Sequence, residues 1–302
     1  MASKEANAIN ELYGRWLEQM AANPDMSLEE TRAIFDTWGD ITSEPGGVDY
    51  IEEDCDGVPC MWAAPKGAAN DRVLVCTHGG GYVTGSMYTH RKMFGHLAKE
   101  TGCRALILHY RRAPEDTHPA QVDDAVKVYE WLLGQGLKPE HIATTGDSAG
   151  GALCTTMLLA ARDKGLPAPA GCMPMSPYYD MEFTGESMVS NAGNDVLVSK
   201  EIASNMASTF LGGASPKDPL ANPFYADLKG LPPMYIQVGG HEALLDDSVR
   251  FEKKAKAEGV EIKLDIYPEM QHVFQFMVGF APEANDAVQK MAQWVRPKLG
   301  LA

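Results

Sequence analysis

Two kinds of apolar spacing divide the chain. Near its start, Ile9, Leu12, Trp16, Leu17 and Met20 recur at helical intervals and form one apolar stripe. Ser27 followed three residues later by Glu30 is a capping-box pattern. It opens a second helix whose apolar surface comes from Ile34, Phe35 and Trp38. From Val48 the period shortens. Residues 48–52 and 58–63 read as strands, joined through Asp56 and Gly57, a strong hairpin signal. Short continuous apolar runs then alternate with helical patterns. The strands fall at 72–77, 103–110, 141–145, 171–176, 234–238 and 262–267; the helices fall at 87–100, 120–133, 149–164, 248–258 and 283–299. Continuously apolar strands separated by helices predict an α/β fold: a mainly parallel, eight-stranded sheet with helices on both faces. The early hairpin adds antiparallel strands at one edge.

The alternation breaks once. Residues 181–227 contain no strand pattern but carry Met181, Phe183, Met188, Met206, Phe210, Leu211 and Leu220, with Pro216, Pro219 and Pro223 near the end. This predicts a helical insertion on the carboxyl side of the sheet, where active-site lids are built. The expected organisation is therefore N-terminal helices over 1–45, a first core part over 46–180, the insertion over 181–227 and a second core part over 228–302.

The 302 residues are 45% hydrophobic and 22% charged, which supplies a sizeable core and excludes a disordered chain. Lys and Arg total 26 against 41 Asp and Glu, a net charge of -15. Such a surface repels phosphate backbones, so neither nucleic acid nor an anionic membrane is expected as a partner. No run is long enough to span a bilayer, and the first residues show no signal-peptide pattern, so a cytoplasmic location is expected. Of six cysteines only Cys55 and Cys60 lie close together, and no second pair follows, so reduced structural thiols are expected rather than a metal site.

The chemistry concentrates in a few places. Gly146-Asp147-Ser148-Ala149-Gly150-Gly151 contains G-x-S-x-G directly between a predicted strand and a predicted helix, the setting of a nucleophilic serine on a strained turn. His78-Gly79-Gly80-Gly81-Tyr82 follows another strand, and its glycines let amide N–H groups close in on a developing oxyanion. A phosphate loop would need a Lys-Ser or Lys-Thr that is absent, and no dinucleotide fingerprint is present. Among eight histidines, His272 lies just past the last strand, where a base belongs; His241 sits on the earlier loop, where the orienting acid belongs. On that loop Glu242 is preferred and Asp246 is second, because helix capping would explain one of Asp246 and Asp247. The chain order Ser148, Glu242, His272 is nucleophile, acid, base.

From about Val73 onward the sequence resembles the hormone-sensitive-lipase-like branch of the α/β-hydrolases, the bacterial family IV esterases. The H-G-G-G run at 78–81 and G-D-S-A-G-G at 146–151 match that family's hallmarks, and Tyr110-Arg111-Arg112-Ala113-Pro114-Glu115 is similar to its Y-R-L-A-P-E run with Arg112 in place of leucine. Glu242-Ala243-Leu244-Leu245-Asp246 stands where the family commonly has D-P-L-x-D. The resemblance implies an α/β-hydrolase fold with a helical cap built from the N-terminal helices and the insertion. It also implies oxyanion donors at the amides of Gly80, Gly81 and Ala149, and pairing of two copies through the edge strand at 262–267. No cofactor is needed. The expected activity is hydrolysis of short to medium acyl esters through an acyl-enzyme. Tyr82, Tyr178, Met206, Phe210 and Phe274 are the expected pocket residues. Glu269-Met270-Gln271-His272 resembles relatives that open cyclic esters, so a lactone hydrolase is an alternative, as is an amide hydrolase. A non-catalytic receptor on this fold is a third; the plant gibberellin receptors, which resemble the family, lack the histidine that His272 supplies. Haloalkane or epoxide chemistry would need a carboxylate at Ser148.

Overall fold

In a computed structural model, which describes residues 2–302, the apolar runs assemble into one eight-stranded sheet. Its strands are β1 (Val48–Cys55), β2 (Val58–Pro65), β3 (Ala69–Thr77), β4 (Cys103–Leu108), β5 (Ile142–Asp147), β6 (Gly171–Met175), β7 (Met234–Gly239) and β8 (Ile262–Tyr267). The spatial order is β1-β2-β4-β3-β5-β6-β7-β8. Only the β1–β2 and β2–β4 pairings are antiparallel; every other neighbour pair is parallel. The central strands β5, β6 and β7 are buried throughout, which is why they lack alternation.

The helices are α1 (Ala8–Ala22), α2 (Leu28–Phe35), α3 (Met87–Thr101), α4 (Ala120–Gly134), α5 (Ala149–Asp163), α6 (Ser187–Ser190), α7 (Lys200–Leu211), α8 (Leu245–Ala257) and α9 (Pro282–Val295). They cover both faces. Side chains of α4, α5 and α8 share one apolar cluster with Met188 and Phe210 of the long β6–β7 connection. Those of α1, α3 and α9 share the other. Ser27 caps α2 as its pattern predicts: its hydroxyl accepts from the Glu30 amide at 3.2 Å, and the Glu30 carboxylate accepts from the Ser27 amide at 2.8 Å. Among the described residues no helix is long and apolar enough to cross a membrane.

Several boundaries differ from the sequence expectation, each for a local reason. β3 begins at Ala69, which pairs with Cys103 ahead of a register shift that brings Val73 opposite Arg104. β4 stops at Leu108 because Tyr110 leaves the sheet; its ring stacks on His78 at 4.1 Å and its hydroxyl donates to the His78 carbonyl at 2.6 Å. Helix α2 ends at Phe35, and Trp38 rides on a 3-10 turn, Asp36–Ile41, stacked against Phe276 at 4.8 Å. Helix α8 begins at Leu245, so Asp246 and Asp247 lie inside its first turn rather than capping it. Asp246 instead accepts from the Ser187 amide at 2.9 Å, and Asp247 accepts from the amides of Tyr179 and Asp180 at 2.8 and 2.9 Å. Both carboxylates anchor the β6–β7 connection.

Candidate active site

Ser148 is the hinge residue between β5 and α5, with φ 53 and ψ -121. A side chain in that backbone region costs about 1–3 kcal/mol and persists only where its surroundings enforce it. The enforcement is visible: the Ser148 amide donates to the Met175 carbonyl at 2.9 Å, and the Ser148 carbonyl accepts from the amides of Ala152 and Tyr178, each at 3.0 Å. The turn closes only because its flanks are glycines. A Cβ on Gly146 would overlap the Gly150 carbonyl, and one on Gly150 would overlap the carbonyls of Thr77 and His78.

His272 follows β8 and Glu242 follows β7, so parallel strands deliver both beside the serine. His272 Nε2 lies 2.9 Å from Ser148 Oγ, and its Nδ1 lies 2.8 Å from Glu242 Oε2. The other carboxylate oxygen, Oε1, accepts from the Ser176 hydroxyl at 2.6 Å and from the Gly239 amide at 2.5 Å. Ser176 Oγ also accepts from the Val273 amide at 3.3 Å, so one hydroxyl touches both loops. Burial raises the Glu242 carboxyl above its ordinary value, against the lowering effect of these hydrogen bonds. Burial disfavours the His272 cation, but the Glu242 hydrogen bond and charge, with the carboxylates of Asp195 and Asp147, raise it net above the ordinary histidine value. His241 stays out of this chain; its amide donates to the Met270 carbonyl at 3.1 Å.

The glycine loop is tied to the same turn. The Gly79 amide donates to Asp147 Oδ1 at 3.1 Å, and Asp147 Oδ2 lies 3.2 Å from Nε2 of the buried His90. Gly80 and Gly81 follow with φ of 111 and 61, and among the described residues their amides have no acceptor. Ala149 opens α5, where no intrahelical carbonyl can take its amide. Gly80, Gly81, Ser148 and His272 all border one mainly apolar cavity of about 40 Å³.

Of the expected pocket residues, Tyr178 and Met206 line this cavity. Tyr82 and Phe210 do not reach it; they stack on each other at 3.8 Å in the core behind the wall. Phe274 is turned away as well, packed on Tyr267 at 4.8 Å. The rest of the wall includes Phe35 and Trp38 from the N-terminal segment, Leu197, Val198 and Ile202 from the β6–β7 connection, and Leu244. Tyr13 of α1 reaches the base itself: its buried hydroxyl donates to the His272 carbonyl at 2.8 Å and accepts from Trp38 Nε1 at 3.2 Å. Ser176, His90 and Tyr13 were not singled out by sequence reasoning. No motif marks them, although the helical spacing of Tyr13 from Ile9 and Trp16 could have flagged it.

Comparison with known proteins agrees with this architecture. A family model described as the alpha/beta hydrolase fold matches residues 74–276. An acetyl-hydrolase of Streptomyces hygroscopicus is 34% identical over 304 residues, covering 99% of each chain. An esterase of Acinetobacter venetianus is 36% identical over 75% of each chain. The crystal structure of an esterase from the bacterial hormone-sensitive lipase family superposes with a TM-score of 0.95 at 41% identity, covering 99% of this chain and all of that one. Fold, sequence and site thus converge, and the chain belongs to the bacterial hormone-sensitive-lipase family of carboxylesterases within the α/β-hydrolases.

Proposed function

We propose that this carboxylesterase acts through Ser148, His272 and Glu242 on esters with short acyl groups. The observation that carries the reading is the unbroken hydrogen-bond chain from Glu242 through His272 to Ser148 at an apolar cavity. His272 Nε2 takes the serine proton as Oγ attacks the ester carbonyl. Glu242 holds Nδ1–H, which fixes the tautomer and stabilises the imidazolium. The amides of Gly80, Gly81 and Ala149 receive the oxyanion, each donor contributing about 3 kcal/mol. His272 then protonates the departing alcohol. Water, activated by the same base, attacks the acyl-enzyme and releases the acid.

The acyl size follows from the cavity. Phe35, Trp38, Leu197, Ile202 and Met206 crowd the space in front of Ser148, which favours an acetyl to butyryl chain over longer ones. The name of the Streptomyces relative, acetyl-hydrolase, supports the same range. Residues 1–45 and 181–227 act as the cap over the site, since both supply its walls. Opening a lactone uses the same groups, so cyclic esters belong in the substrate panel beside matched amides.

The test is hydrolysis of a p-nitrophenyl acyl series, from two to sixteen carbons, by wild type and Ser148→Ala. Rates should peak at two to four carbons and vanish in Ser148→Ala. A variant that keeps the wild-type rate, or a wild type inert on every ester, overturns the assignment.

A further inference from the structure

Glu242 and His272 arrive on separate loops, and their 2.8 Å contact requires those loops to keep register. Residues 191–198 of the β6–β7 connection cross both. Asn191 Nδ2 donates to the carbonyls of Gly240 and Glu242 at 3.1 and 2.8 Å. Asp195 Oδ2 accepts from the Ala243 amide at 2.8 Å, next to the acid. On the histidine loop, Gln271 accepts from the Val196 amide at 2.9 Å and donates to the Asn194 carbonyl at 2.8 Å. Asp195 also reads the cavity wall: its Oδ1 accepts from the amides of Leu197 and Val198 at 3.0 and 2.8 Å, and both side chains line the cavity.

Asp195 is 9% exposed and its partners are all backbone amides. Burial raises its carboxyl above the ordinary aspartate value, against the lowering effect of the His272 charge and of the three amides. Both carboxylate oxygens are in use, so an asparagine, with one oxygen, could not hold both sides at once. We propose that Asp195 is a positioning residue for the Glu242–His272 pair, which fixes the acid loop to the cavity wall and places a second negative charge on the imidazole. This rests on the assignment of Ser148, His272 and Glu242 above. The other ionisable groups facing His272 are Glu242 from the β7 loop, Asp147 from the end of β5, and the Tyr13 phenol, which burial keeps neutral by raising it well above its ordinary value. Because an acyl group would press on Leu197 and Val198, its fit reaches Asp195 through their own amides.

The experiment compares pH profiles of kcat/KM on p-nitrophenyl acetate for wild type, Asp195→Asn and Asn191→Ala, with thermal melts on each. Asp195→Asn should lower kcat about 10- to 100-fold through misplacement of the base, with little change in KM. Its acid limb should move to lower pH by about half a unit or more, because a carboxylate near the imidazole is gone. Asn191→Ala removes no charge, so it should lower the rate and leave the limb in place. A wild-type limb in folded Asp195→Asn reduces the residue to an anchor and overturns the proposal. If Asp195→Asn does not fold, Asp195→Ser takes its place in the same pH profile: its acid limb should move the same way, and a wild-type limb again overturns the proposal. Ser148→Ala separates the two readings. If it stays active, the site assignment falls; if it is inactive while Asp195→Asn matches wild type throughout, only the Asp195 proposal falls.

Discussion

Glu242→Gln is the sharpest probe of the assigned acid because the side chain keeps its shape and loses only charge and one acceptor. Oε1 faces two donors, the Ser176 hydroxyl and the Gly239 amide, while Oε2 faces His272 Nδ1. The glutamine has one oxygen to place. Pointing its NH2 at Gly239 would leave a buried amide unpaired, at about 1–3 kcal/mol. The oxygen therefore takes the Ser176 and Gly239 side, and the NH2 faces Nδ1. Imidazole answers by moving its proton to Nε2, which directs N–H at Ser148 and disables the base. The wrong tautomer in such a triad lowers kcat by about 10⁴, or about 5.4 kcal/mol of transition-state stabilisation. The pH signature has a definite sign. His272 works when neutral and is raised by Glu242, so wild-type activity falls with acid at a pH above the ordinary histidine value. Without the charge the imidazole is easier to deprotonate, and residual activity extends to lower pH. Asp246→Asn is the comparison: its carboxylate accepts only the Ser187 amide at the edge of the cap, so kcat should fall less than about tenfold. Steady-state kinetics from pH 5 to 9 decide. A larger loss in Asp246→Asn, or a Glu242→Gln enzyme with more than a tenth of wild-type kcat, refutes the argument.

Two further outcomes are expected. Burial, with the nearby Asp180 carboxylate, pushes the Asp247 carboxyl from 3.8 up to about 7 despite its two amide donors. The folded protein then holds a proton that the unfolded chain releases, so this residue costs stability as pH rises from about 4 to 7 and holds that cost above. Asp247→Asn should be more stable than wild type at pH 8, by about 4 kcal/mol, and equal to it near pH 4; the same gap at both pH values in urea melts would contradict this. Met206 stands against Gly81, where an added Cβ would overlap its sulfur, and closes the cavity beside the oxyanion loop. Met206→Ala should shift the p-nitrophenyl optimum by about two to four carbons, each methylene buried adding about 0.8 kcal/mol; an unchanged optimum would place the acyl group elsewhere.

The sheet was legible because strands buried on both faces carry unbroken apolar runs, as 73–76 and 105–108 show. The serine turn was legible because its sterics admit only glycine at 146 and 150. Glu242 could be preferred over Asp246 because it stands next to the strand end. The remainder depends on contacts that no local pattern encodes. Asp195 meets Ala243 48 residues away and Gln271 meets Asn194 77 residues away, from a connection without periodicity. Asp246 and Asp247 look like capping residues by position, yet they serve amides of a distant segment. Tyr82 and Phe210 had the right character for a pocket wall, but they stack on each other at 3.8 Å in the core instead.

The bond from Tyr13 to the His272 carbonyl spans 259 residues. A ribosome makes α1 among the first elements and the histidine loop among the last, so this contact waits for nearly the whole chain. Closing so large a loop is entropically slow, and local hairpins and βαβ units have no need of it. Refolding should therefore restore helical and sheet signals before esterase activity, with the gain of activity timing the docking of α1. The amino-terminal helix is thus the last piece to meet the histidine loop, a late tie on a sheet that forms without it.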